Sequence, residues 1–142
     1  MKEIITRIDY TPYKLSDWID IDKDNIQPIV KKILSNNPRA TKYLENNMEL
    51  IDWNILSSNQ NAIYLLENNL DKIDWSMLSR NPNAIHILEK NIDNIDWKML
   101  SANPNAVNIL ENNLDKIDWS MISCNPNAIH ILEKNIDNID WK

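Results

Sequence analysis

The side chains able to do chemistry recur on a fixed spacing. Asp stands at 52, 74, 96, 118 and 140, and Glu at 45, 67, 89, 111 and 133. Paired carboxylates could act as general acid and base. A catalytic pair has no reason to be copied into every repeat, whereas an Asp at a helix N-cap stabilises by about 0.5–2 kcal/mol. The two columns therefore read as a ladder of caps and a solvated stripe. His86 and His130 share one slot, two repeats apart. Helix layers stack about 8–10 Å apart, which leaves these imidazoles too far from each other to share a metal. Their slot also holds Lys42, Tyr64 and Asn108, as an exposed polar position would. Cys124 shares its slot with Asn36, Ser58, Arg80 and Ala102, which reads as turn surface. Trp at 53, 75, 97, 119 and 141 could stack on bases or sugars. Each is followed by apolar residues two and three places on, so the ladder is expected in the core. Each indole N–H is then expected to reach a carbonyl in the adjoining turn. No catalytic, metal or cofactor site is expected.

Composition narrows the classes further. The chain has 142 residues, a formal charge of −6 and a pI near 4.8. That balance argues against nucleic-acid binding, which needs a basic face. There is no Gly, so Gly-rich phosphate loops are excluded. One Cys makes no internal disulfide, and two His with one Cys fall short of a zinc cluster. No apolar run approaches the length of a membrane span, and MKEIITRIDY lacks the apolar stretch of a signal peptide. With 43% hydrophobic residues the chain is too apolar for disorder.

The elements that hold these columns repeat every 22 residues. Ile-Asp-Trp, Ser (35 to 123), Asn (37 to 125), Ala (40 to 128), Leu (44 to 132) and a second Asn (47 to 135) all keep that spacing. The repeats are placed at 29–50, 51–72, 73–94, 95–116 and 117–138, with a stub at 139–142. Residues 68–98 and 112–142 differ only at Leu78/Ile122 and Arg80/Cys124, which marks a 44-residue superperiod. Residues 1–28 do not fit the period and are read as an N-terminal cap.

Within 73–94, Asp74 caps a segment of one or two helical turns. Asn81-Pro82 starts a longer helix, expected to run from Pro82 to Lys90. Asn91 is expected to end it in the left-handed conformation, since no Gly is available. Neither helix is stable alone, and stacking buries their apolar faces together. The fold expected is an all-α solenoid, with one very short and one longer helix per repeat. A leucine-rich repeat is the rival. Its upstream Leu is Gln60 or Pro here, its Asn is Lys90 or Lys134 in two copies, and the Leu66 column would point out of a strand.

The unit W-x-x-L-S-x-N-P-N-A-I-x-I-L-E-x-N-x-x-x-I-D, over about 29–142, resembles short tandem repeats in proteins of giant amoeba-infecting DNA viruses of the mimivirus-like group. The lead-in KLSDWIDIDKDNI (Lys14 to Ile26) is similar to theirs. The 23 Ile and 23 Asn fit an AT-rich genome of that kind. The alternation of very short and longer helices also resembles leucine-rich variant repeats. These resemblances imply a solenoid, an intracellular setting in host cytoplasm or virion, and no enzyme activity or site residue.

Three columns vary between repeats: 36/58/80/102/124, 42/64/86/108/130 and 54/76/98/120. Residues that differ between matching repeats are free of packing duty, and in solenoids such columns meet partners. The expected partner surface holds Ser58, Tyr64, Arg80, His86, Asn108 and His130. The expected function is non-enzymatic protein–protein contact, without nucleic acid or membrane. The alternative is a structural protein that self-associates through its array. Ile139 and Trp141 are the expected contacts of a homodimer.

Overall fold

A computed structural model describes residues 28–139. The cap read over 1–28 lies outside the described residues, Pro28 excepted, and so does Trp141. The described residues form ten short α-helices and five 3₁₀ turns, with no strand among them. The α-helices are α1 (Pro28–Asn36), α2 (Thr41–Glu45), α3 (Trp53–Ser57), α4 (Ile63–Glu67), α5 (Trp75–Ser79), α6 (Ile85–Glu89), α7 (Trp97–Ser101), α8 (Val107–Glu111), α9 (Trp119–Ile122) and α10 (Ile129–Lys134). Each even-numbered helix runs into a 3₁₀ turn, at Met48–Leu50, Leu70–Lys72, Ile92–Asn94, Leu114–Lys116 and Ile136–Asn138. Successive odd-numbered helices pack side by side, so the fold is an α-solenoid.

Each odd helix begins where the sequence places its cap. The Asp74 side chain accepts the N–H of Met77 at 2.9 Å, and Asp52, Asp96 and Asp118 do the same in their repeats. The first repeat has Val30 at this position, and without the cap α1 starts three residues earlier, at Pro28. Proline suits that first helical position.

The even helices differ from expectation at both ends. Asn81 Oδ1 accepts the N–H of Asn83 at 3.0 Å, which spends Pro82 and Asn83 on a turn. The α-helix then begins at Ile85, not Pro82. At the other end Asn91 has φ −135° and ψ 46°, and no described residue has a positive φ. Asn91 closes the helix with its side chain instead, donating Nδ2–H to Ile87 O at 2.7 Å. That bond satisfies one of the orphan carbonyls of the last turn without a left-handed residue.

Two leucine columns form the centre of the core. Leu44, Leu66, Leu88 and Leu110 come from the even helices, and Leu56, Leu78 and Leu100 from the odd ones; all are fully buried. Ala62, Ala84, Ala106 and Ala128 are buried where the turn enters each even helix. Ile51, Ile73, Ile95 and Ile117 fill the space between repeats.

Polar ladders run through the same interior. The Ser57 hydroxyl donates to Trp53 O at 2.7 Å and accepts the N–H of Asp74 at 3.0 Å, tying one repeat to the next. Ser79 and Ser101 repeat the arrangement. Asn81 Nδ2 donates to Ser57 O and Asn59 O at 3.1 and 3.2 Å. Asn103 and Asn125 bridge to their preceding repeat in the same way. An outer rung joins Asn83, Asn105 and Asn127 to Gln60, Pro82 and Pro104 carbonyls. Asn is the residue this position needs. Its amide offers two donors to the layer behind and one acceptor to its own turn, which neither Asp nor Ser can match. No buried side-chain nitrogen or oxygen among the described residues lacks a partner.

Candidate interaction surface

The even helices turn one variable column outward. Tyr64 is 65% exposed, His86 and Asn108 are exposed, and His130 is half-exposed. The column lies beside the Glu column of the preceding repeat. His86 Nε2 meets Glu67 Oε1 at 2.6 Å and His130 Nε2 meets Glu111 Oε1 at 2.8 Å. The two pairs are 44 residues apart, so the superperiod is visible on the surface as well as in the sequence. Lys42, at the head of the column, pairs with Glu45 at 2.7 Å.

The second variable column lies along the ends of the odd helices. Arg80 and Cys124 are exposed there, while Ser58 is half-buried and donates its hydroxyl to Ile55 O at 2.8 Å. The third column has a structural duty the sequence did not reveal. Asn54 Nδ2 donates to Asp74 Oδ2 at 2.6 Å, and the Ser76 hydroxyl donates to Asp96 Oδ2 at 2.8 Å. Between Asn54 and Ser76, variation exchanges one donor for another against the same carboxylate position. Asp74 and Asp96 thus each serve an N-cap within one repeat and accept a hydrogen bond from the repeat before.

The tryptophans occupy the boundary rather than the interior. Trp53, Trp75, Trp97 and Trp119 are half-buried against the core. Their indole N–H groups make no hydrogen bond to protein among the described residues, contrary to expectation. Lys72 Nζ lies 5.1 Å from the Trp53 ring centroid, and Lys116 Nζ 4.8 Å from that of Trp97. These are cation–π distances, set by a Lys that ends a 3₁₀ turn nineteen residues after its Trp.

The same edge carries the 3₁₀ turns, whose residues are mostly outward. Leu70 and Leu114 are 40% and 42% exposed, and the Asp that follows each is exposed. Ile139 is half-buried. In α2, burial and the carboxylate of Glu49 on the first of these turns raise the Tyr43 hydroxyl above the ordinary tyrosine pKa. Among the described residues, no group of three or more His, Cys, Asp or Glu is placed to hold a metal ion. No helix among them is long and apolar enough to cross a membrane. Compared with protein-family models, curated proteins and solved structures, the chain matches none of them.

Proposed function

We propose that this protein is a non-enzymatic repeat protein that acts by protein–protein contact, using the outward edge of its even helices. One observation supports the reading above others. The ladder and core positions stay nearly constant from repeat to repeat, yet the exposed column holds Lys42, Tyr64, His86, Asn108 and His130 in turn. A surface that varies on a constant scaffold is how solenoids acquire a partner. Ser58 and Arg80 extend the same candidate surface toward the odd helices. The resemblance to giant-virus repeats supports a viral source and an intracellular setting.

The test is affinity capture from the source cell with the native chain and a Tyr64→Ser/His86→Ser/His130→Ser variant, read by mass spectrometry. The reading expects one protein captured by the native chain and lost with the variant, whose helical circular dichroism is unchanged. Identical captures from both would remove this surface from consideration.

A further inference from the structure

We propose that Trp75 and Trp119 each accept a lysine ammonium of a partner protein, on the ring face that Lys72 and Lys116 cover on Trp53 and Trp97. The array itself shows what this face takes. Lys72 Nζ lies 5.1 Å from the Trp53 ring centroid and Lys116 Nζ 4.8 Å from that of Trp97, within the range of cation–π attraction. Both lysines are exposed, so the face they cover is reached from the solvent side. They end the 3₁₀ turns Leu70–Lys72 and Leu114–Lys116. The turns Ile92–Asn94 and Ile136–Asn138 end in Asn at the same slot, nineteen residues after Trp75 and Trp119.

The backbone entering these turns is alike in both kinds. Asn69 and Asn113, before the Lys turns, have φ −143° and −142° with ψ 49° and 50°, and Asn91, before an Asn turn, has φ −135° and ψ 46°. The change at the slot is chemical, since Asn is shorter than Lys and carries no charge. Trp75 and Trp119 are half-buried, as Trp53 and Trp97 are, yet no ammonium among the described residues lies over either ring. Lys90 and Lys134, four residues before Asn94 and Asn138, are exposed and make no ring contact. Asp71 and Asp115 share their turns with a lysine, whereas Asp93 and Asp137 share theirs with Asn. The open rings and the uncompensated turns both favour the same ligand, an ammonium. Trp is also among the residue types that carry most of the energy at protein interfaces. This site does not rest on the exposed column of the even helices.

The test labels the full chain with 5-fluorotryptophan, so that fluorine NMR reads each indole separately, with resonances assigned by single Trp→Phe variants. The probe is Nα-acetyl-lysine methylamide, titrated at constant ionic strength. Its Nε-acetylated analogue has the same stem without the charge and serves as the control. Trp75 and Trp119 are expected to shift at least about threefold more than Trp53 and Trp97, whose faces already hold an ammonium. The acetylated analogue is expected to leave no such difference. Asn94→Lys is expected to silence Trp75 and leave Trp119 responsive, and Lys72→Asn to make Trp53 respond. Each exchange installs a residue that the array already carries at this slot, so native circular dichroism is expected of both. Equal shifts at all four rings, an equal response to the acetylated analogue, or exchange of Lys and Asn without transfer of the response overturns the proposal.

Discussion

The side-chain amide of Asn103 reaches back one full repeat, donating to Asn81 O at 3.2 Å and to Ser79 O at 2.9 Å. Its oxygen accepts the N–H of Asn105 at 3.0 Å, so one buried side chain closes three backbone groups in two layers. Leaving a buried polar group unsatisfied costs about 1–3 kcal/mol. Asn103→Ala is expected to destabilise by about 3 kcal/mol or more in urea denaturation. Asn103→Asp keeps the acceptor but sets a carboxylate against two carbonyls, and is expected to be worse. A cost below about 1 kcal/mol for both would deny the ladder a part in stability.

Ser101 bridges Trp97 O at 2.7 Å and the N–H of Asp118 at 3.0 Å. Ser101→Ala leaves that N–H without its acceptor, at an expected cost of about 1–3 kcal/mol. Ser58→Ala removes only a bond to Ile55 O, three residues before it, in a half-buried site. Its expected cost is within about 0.5 kcal/mol, as for other surface changes. Thermal unfolding of the two variants, compared side by side, gives the answer.

Asp96 caps α7 through the N–H of Met99 at 3.1 Å and accepts the Ser76 hydroxyl at 2.8 Å. Asp96→Ala removes both and is expected to cost about 1–2 kcal/mol. Asp96→Asn retains a capping oxygen and is expected to cost clearly less. Equal losses would locate the effect in charge rather than in the cap.

A fully buried Trp truncated to Ala costs about 3–5 kcal/mol. Trp97 is half-buried and carries Lys116 on its face. Trp97→Ala is therefore expected to cost about 2–3 kcal/mol, and Lys116→Ala about 0.5–1 kcal/mol for an exposed cation–π pair. In the double variant the Lys116 contribution should vanish. Strict additivity would show that the ammonium gains nothing from the ring.

The repeat length, the helical class and the Asp caps were legible because each is a local matter. A 22-residue clock admits a solenoid, and Asp before Trp-x-x-Leu has one helical role. The even-helix start was misplaced because Asn-Pro serves equally a helix cap and an Asx turn, and the turn prevails here. The left-handed ending failed for a similar reason. A side-chain amide can close a helix as well as a backbone N–H can, and Asn91 uses the former. The exposed column of Tyr64, His86, Asn108 and His130 followed from its variability. Asn54 and Ser76 did not, since their bonds reach carboxylates twenty residues on, across a repeat boundary. Equal spacing of donor and acceptor columns was the available signal.

The asparagine and serine rungs have a bearing on how such a chain changes over generations. Each rung is made of the same residues on both sides of every joint, so any unit can follow any other without a mismatched neighbour. Removing or copying a whole unit keeps every joint intact, whereas shifting the frame by one residue breaks all rungs beyond it. Near-identical stretches such as 68–98 and 112–142 are natural templates for unequal exchange between gene copies. Array length is then a heritable variable, adjustable in steps of one or two units. The order of outward residues can be shuffled with it, while the joints that hold the array together stay interchangeable.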